Sequence, residues 1–236
     1  MRQAKLLAVF DFDHTLIDGN TDTWVTKLLP STMQLIREHQ KKGWCWTNIM
    51  DKVFGVLHAE NLTKGDYEKC FQTLQFTEGM KEACHFLQTQ KVPTIIISDS
   101  NSYFIDHILE RDFLREAFCG VYTNPARWES SGRLQVERYH EHDCNHCPPN
   151  LCKSTVLQRY LTECHQHFKH TVYVGDGHGD LCPCLTLKEE DYILARQGYK
   201  LLNCLQGEKN SEVNAEVIPW TTGFEALQLF QKLCDT

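Results

Sequence analysis

Short continuous apolar runs alternate with amphipathic stretches along most of the chain. Leu6-Leu7-Ala8-Val9-Phe10 is an unbroken apolar run that stops at Asp11, the pattern of a strand buried on both faces. Val92 to Ile97, with Ile95-Ile96-Ile97, has the same character, and so does Thr171-Val172-Tyr173-Val174, which stops at Gly175. Gly120-Val121-Tyr122 and Tyr192-Ile193-Leu194-Ala195 are weaker strand candidates. Helical periodicity marks Gly79 to Gln90, Ser102 to Arg111, Leu151 to Cys164 and Phe224 to Cys234. Strands that alternate with helices predict a doubly wound α/β domain, Rossmann-like, with a parallel sheet between two helical layers.

The rhythm breaks between about Thr21 and Phe76. That stretch is rich in helix formers, holds Trp24, Trp44 and Trp46, and shows no strong strand. It predicts a helical insert after the first strand. The expected organisation is a core of residues 1–20 and 77–236 with a helical cap at 21–76. Gly132, between Ser130-Ser131 and Arg133-Leu134-Gln135-Val136, predicts a hairpin or short excursion.

Composition narrows the functional classes. Of 236 residues, 24 are Lys or Arg and 31 are Asp or Glu, a net charge of −7. No basic cluster suggests a nucleic-acid groove. No apolar run approaches the roughly 18 residues of a membrane span, and none forms a signal-peptide core. The expectation is a cytoplasmic protein that binds neither nucleic acid nor membrane, with its oligomeric state open. Without a secretory segment, the twelve cysteines are expected to be free thiols, mostly buried.

Candidate chemistry gathers where strands end. Asp11-Phe12-Asp13-His14-Thr15 follows the first strand, and Gly175-Asp176-Gly177-His178-Gly179-Asp180 follows the Thr171 strand. Ser98 ends the Ile95 run, and Lys153 opens the Leu151 helix. In a parallel sheet these strand ends share one rim, the place where ligands collect. Paired carboxylates repel each other and resist desolvation unless a cation or a shared proton relieves them. The set suits phosphoryl transfer. Asp11 and Asp176 can offer hard oxygen ligands to Mg²⁺, which screens a carboxylate nucleophile from a phosphate. Ser98 and Lys153 can hold phosphate oxygens, and Asp13 can protonate a leaving alkoxide and later deprotonate water.

These motifs, in this order, resemble the haloacid dehalogenase superfamily of phosphatases. The resemblance implies that Asp11 is the phosphorylated nucleophile and a metal ligand. It makes Asp13 the general acid/base, giving its backbone carbonyl to Mg²⁺. Ser98 becomes the phosphate-binding hydroxyl, with Thr15 supporting the loop on the phosphate side, and Lys153 stabilises the aspartyl-phosphate. Asp176 becomes the metal-binding acid, and Asp180 a further acid acting behind it. The likeness extends through Asn20-Thr21-Asp22-Thr23-Trp24, Ile97-Ser98-Asp99-Ser100-Asn101-Ser102, Thr123-Asn124-Pro125-Ala126 and Cys144 to Lys153. These segments are similar to small phosphatases that act on pyridoxal 5′-phosphate, phosphoethanolamine or phosphocholine. Asp22-Thr23-Trp24 and Ser98-Asp99-Ser100-Asn101 look most like the pyridoxal phosphate branch.

By the same resemblance, Asp22 and Asp99 contact the part of the substrate beyond the phosphate. A carboxylate there favours a cationic head or a protonated ring nitrogen. The alternative for each is a helix-terminal acid. The tryptophans could wall the substrate or form the core of the insert. The expected partner is therefore a small phosphate ester, pyridoxal 5′-phosphate first and phosphoethanolamine or phosphocholine second. Gly179 stands where the family usually has Asn, and His178 replaces a smaller residue. Gly179 is the ground for a rival of another class, a weakly catalytic phosphometabolite-binding protein.

One cluster lies outside this chemistry. His140, His142, Cys144, Cys147 and Cys152 fall within thirteen residues, with His146 as a sixth candidate. The Cys-x-x-Cys step has zinc-ligand spacing, but no second such step accompanies it. Buried thiols with surface histidines are the other reading. Cys182-Pro183-Cys184 reads as core.

Overall fold

The computed structural model describes residues 3–207 and 209–235. The chain opens with β1 (Gln3–Phe10) and continues through four helices, α1 (Thr21–Trp24), α2 (Thr32–Lys41), α3 (Trp46–Ala59) and α4 (Lys64–Phe71). Then come α5 (Met80–Thr89), β2 (Thr94–Asn101), α6 (Ser102–Arg111), β3 (Gly120–Asn124), β4 (Ala126–Trp128) and β5 (Leu134–Val136). The last third holds α7 (Lys153–Glu163), β6 (His167–Gly175), α8 (Leu181–Cys184), β7 (Tyr192–Arg196), α9 (Lys200–Gln206), β8 (Glu216–Trp220) and α10 (Gly223–Asp235).

Six strands form one parallel sheet in the order β3-β2-β1-β6-β7-β8. This is the doubly wound order, with β1 at the centre. Residues that alternate along each strand face two different cores. Leu7, Val9, Ile95, Ile97, Tyr173 and Ile193 pack with Val156 and Leu157 of α7 and Leu201 and Leu205 of α9. Leu6, Ala8, Phe10, Ile96, Val172 and Val174 pack on the other face with residues of α5, α6, α10 and the helices of the 21–71 segment. A strand buried on both sides has no polar face, which is why these runs read as continuous in the sequence. Each fully buried Ile or Phe contributes roughly 1.5–3 kcal/mol.

Helix and strand bounds lie within a few residues of the sequence expectation, as termini generally do. β8 has no counterpart in that expectation. It contains Pro219, which cannot donate to a ladder and is tolerated because β8 is the sheet edge. Gly132, at φ +86°, turns the antiparallel β4–β5 hairpin. Arg133 of that hairpin pairs with Asp51 of α3 at 2.5 Å. At the opposite end of the molecule, Gly223 meets the start of α5. A Cβ there would lie 2.3 Å from the Met80 nitrogen.

The chain leaves the sheet and returns to it at neighbouring points. Asp18 N–H donates to Gln75 C=O and Thr77 N–H to Leu16 C=O, both at 2.9 Å. No helix among the described residues is long and apolar enough to cross a membrane.

Candidate active site

The order of the sheet creates the site. The chain runs outward from β1 to β3 in one direction, then restarts at β6 on the other side of β1. The crevice at such a switch point lies between the carboxyl ends of β1 and β6. Asp11 follows Phe10, the last residue of β1, and Asp176 follows Gly175, the last residue of β6. Asp11 N–H donates to Val174 C=O at 2.9 Å, which locks the two strand ends together.

Lys153, the first residue of α7, reaches across to both acidic loops. Its Nζ lies 2.9 Å from Asp11 Oδ1 and 2.8 Å from Asp180 Oδ1. The side chain is only 2% exposed, so its charge depends on those partners. Burial alone would lower its pKa. Asp11, Asp180 and Asp99 outweigh that and hold it well above its ordinary value. Phe12 N–H also donates to Asp11 Oδ1, at 2.7 Å, so the carboxylate is fixed in orientation.

The three carboxylates of Asp11, Asp176 and Asp180 lie within 4.8 Å of one another. Against them stands one ammonium, so the carboxylates outnumber the cations and repel one another. Burial, followed by Asp180, pushes Asp11 up to about 7. Burial, followed by Asp11, pushes Asp176 up to about 8. An oxygen-only donor set of crowded carboxylates that resist ionising without a cation fits a hard dication. Asp11 and Asp176 are the side chains that can hold it. Asp180 is not, because both its oxygens are already used. Oδ1 accepts from Lys153 and from Tyr173 Oη, each at 2.8 Å, and Oδ2 accepts from the N–H groups of Asp176 and Gly177 at 3.1 and 2.9 Å. Gly175 makes room for this fold-back, since a Cβ there would sit 2.6 Å from the Asp180 carboxylate. Thr15 donates to Asp176 Oδ1 at 3.3 Å.

Asp13 faces the first turn of α1. Its Oδ1 accepts from Thr21 N–H at 2.9 Å, and its Oδ2 accepts from Asn20 Nδ2 and Thr21 Oγ1, both at 3.1 Å. Burial, then the neighbouring Asp22, holds it well above the usual carboxylate range, so the protonated acid is favoured. His14 is held at φ +56°, with Arg196 donating to its carbonyl, and this left-handed turn separates Asp13 from Thr15.

A cavity of about 180 Å³ is lined by Asp11, Asp13, His14, Asn20, Ser98, Asp99, Lys153, Asp176, Gly177, Gly179 and Asp180. Seven of the nine residues singled out in the sequence therefore meet at one opening. Thr15 lies behind it, and so does Asp22, which is buried and accepts from Trp46 Nε1 at 2.6 Å. Asp99 is aimed by Asn150 Nδ2 at 3.0 Å, and Asn150 is in turn held by Asn124. A side chain at Gly179 would press on Asp99, whose Oδ2 lies 3.0 Å from the Cβ position. His178 is exposed. Asn20, Thr21, Asn124, Asn150 and Tyr173 complete the site without having been assigned roles from the sequence.

The tryptophans divide. Trp24 donates to Cys70 C=O at 3.1 Å and ties α1 to α4, Trp46 holds Asp22, and Trp44 is exposed against His39. None of them lines the cavity.

A family model described as "Putative Phosphatase" matches residues 6–234. The chain belongs to this family of phosphatases. Mouse (Mus musculus) "Pyridoxal phosphate phosphatase PHOSPHO2" is 40% identical to this phosphatase over 97% of the chain and 98% of its own length. The chicken (Gallus gallus) "Phosphoethanolamine/phosphocholine phosphatase" is 29% identical over 98% of the chain and 90% of its own length. Among solved structures, a phospho-aspartyl intermediate analogue of phosphoserine phosphatase superposes with a TM-score of 0.64 at 17% identity, covering 97% of this phosphatase and 99% of the other chain. At that identity the likeness concerns the fold, which is the haloacid dehalogenase type. The phosphatase thus joins that fold to a cavity lined with acids and one buried lysine.

Proposed function

We propose that the protein is a Mg²⁺-dependent phosphomonoesterase that works through an aspartyl-phosphate on Asp11 and prefers pyridoxal 5′-phosphate. The observation that carries this reading is the meeting of Asp11, Asp176, Asp180 and Lys153 at the switch point, where carboxylates outnumber cations. Mg²⁺ held by Asp11, Asp176 and the Asp13 carbonyl would supply charge neutralisation for the phosphate.

Asp11 attacks phosphorus, and the bond to the ester oxygen breaks. Asp13 gives its proton to the departing alkoxide. Lys153 and Ser98 hold the phosphoryl oxygens while Thr15 supports Asp176. Asp13 then takes a proton from water, the water oxygen attacks phosphorus, and the Asp11–phosphorus bond breaks to release phosphate. Asp180 is a positioning residue, acting through Lys153 and the loop amides.

Residues 21–76 form the cap of this reading, and residues 1–20 and 77–236 form its core. Support comes from the paired exits at 16–18 and 75–77, where a small hinge can work. A cavity of 180 Å³ is smaller than the ~300–1,000 Å³ of pockets for whole small molecules. The phosphate fits, and the remainder of the ester requires the cap to move. Asp99 and Asp22 would face that remainder. Support for pyridoxal 5′-phosphate comes from the 40% identity to the mouse enzyme.

Rapid acid quench of the enzyme with labelled phosphate ester tests the intermediate. Label should remain on wild-type protein and be missing from Asp11→Asn, whose turnover falls at least ~10³-fold, as for other lost nucleophiles. Normal turnover by a folded Asp11→Asn variant contradicts the mechanism.

A further inference from the structure

A second cluster of ligand atoms takes no part in this chemistry. The Sγ atoms of Cys144, Cys147, Cys152 and Cys182 lie within 4.8 Å of one another. Cys144 Sγ is 3.5 Å and Cys152 Sγ 3.9 Å from Cys182 Sγ. A tetrahedral zinc with Zn–S bonds of ~2.3 Å sets its sulfurs ~3.8 Å apart. A disulfide requires ~2.05 Å, and all twelve cysteines are free. The sulfurs therefore lie at the spacing of ligands sharing one metal, and no two of them are bonded as a disulfide.

The histidines beside the cluster have other partners. Cys152 N–H donates to His140 Nε2 at 3.1 Å, and Cys144 N–H donates to His142 Nδ1 at 3.2 Å. With Nδ1 accepting, His142 Nε2 carries the proton and donates to Pro148 C=O at 2.8 Å. These rings fix the backbone that presents Cys144 and Cys152. The fourth sulfur comes instead from Cys182, thirty residues beyond Cys152, which the sequence assigned to the core. Cys152 and Cys182 are buried, and Cys144 and Cys147 are half-buried, so the site is closed by four protein ligands.

We infer that Cys144, Cys147, Cys152 and Cys182 bind one structural Zn²⁺. Four soft sulfurs at tetrahedral spacing select this ion, and a site with no open position is structural. Each thiol loses its proton to solvent as its sulfur bonds the metal. The position explains what the ion does. Cys152 immediately precedes Lys153, and Cys182 lies two residues after Asp180. Zinc would clamp together the two segments whose side chains meet in the 2.8 Å Lys153–Asp180 pair. The inference does not depend on which ester is hydrolysed, nor on the identity of the nucleophile.

The test is the metal content of full-length protein purified under reducing conditions without chelator. Plasma mass spectrometry should find about one zinc per chain, released when a mercurial titrates the thiols. Cys144→Ser and Cys147→Ser should each lower zinc affinity by more than the ~10–100-fold lost on changing an outer partner. Cys119→Ser, which alters an exposed thiol elsewhere, should keep its zinc. Protein loaded with Co²⁺ should show the strong visible and near-ultraviolet bands of tetrahedral thiolate. Wild-type protein without stoichiometric zinc, a disulfide among these four cysteines, or a cobalt spectrum without thiolate bands would overturn the inference. Phosphate release plays no part in these readouts, so failure here is separable from failure of the phosphatase mechanism.

Discussion

Both oxygens of Asp180 are occupied inside the protein, and that determines its contribution. It shares Lys153 with Asp11 and holds two loop amides in place. Replacing it by Ala leaves Lys153 paired with Asp11 and leaves Tyr173 Oη and the N–H groups of Asp176 and Gly177 without this acceptor, each such buried donor costing about 1–3 kcal/mol. Asp180→Ala should therefore lower the urea midpoint sharply and reduce kcat, while Asp180→Asn should recover stability better than activity. A variant Asp180→Ala with wild-type stability would show that the pair matters little. Asp11, Asp13, Asp176 and Lys153 were recognisable in the sequence because each sits at a strand end or helix start within a dense polar motif. Their supports were not. Thr15 bonds Asp176 across 161 positions, and Asn150 bonds Asp99 across 51. Asn or Thr in a loop has local hydrogen-bonding uses that leave its distant partner unspecified. Cys182 was hidden for the same reason, since its nearest cluster partner in sequence is thirty residues away.

At the scale of elements, strands buried on both faces were the clearest signal. β1, β2 and β6 show unbroken apolar runs because two cores claim alternate residues. β8 gave no such signal, because Pro219 interrupts it and at the sheet edge only Trp220 of its five residues is buried. In the 21–71 segment, Trp46 Nε1 of α3 donates to Asp22 Oδ2 of α1. Burial raises Asp22 from 3.8 to about 7, opposed by the Trp46 bond and reinforced by Asp99, with Asp13 also nearby. The folded carboxyl thus holds its proton more tightly than the unfolded one. Its stabilising effect is complete below pH 3.8 and is lost as pH rises through about 7. Asn cannot ionise and can still accept from Trp46. Asp22→Asn should therefore gain stability over wild type between pH 5 and pH 8, by at most roughly 3 kcal/mol. Urea unfolding of both proteins at the two pH values measures this. An unchanged difference would mean that Asp22 is solvated or compensated in solution.

For the whole molecule, the doubly wound order explains why residues from four distant segments share one opening. The β1–β6 switch point brings Asp11 and Asp176 together, α7 sets Lys153 against Asp11 and Asp180, and Ser98 and Asp99 in the last half of β2 open on the same rim. The 21–71 helices join the same apolar core as one face of the sheet. In the proposed mechanism, substrate choice would depend on the molecule as a whole, through how far the proposed cap opens and which acids then face the ester. The decisive measurement is phosphate release with Mg²⁺ from pyridoxal 5′-phosphate, phosphoethanolamine and phosphocholine side by side, with Asp11→Asn as the blank. Turnover that requires Mg²⁺ and Asp11 and is fastest for pyridoxal 5′-phosphate is the expected result. Preference for an amine ester would overturn the substrate assignment. Absence of turnover for all three esters, or equal turnover by Asp11→Asn, would contradict the account of the site itself.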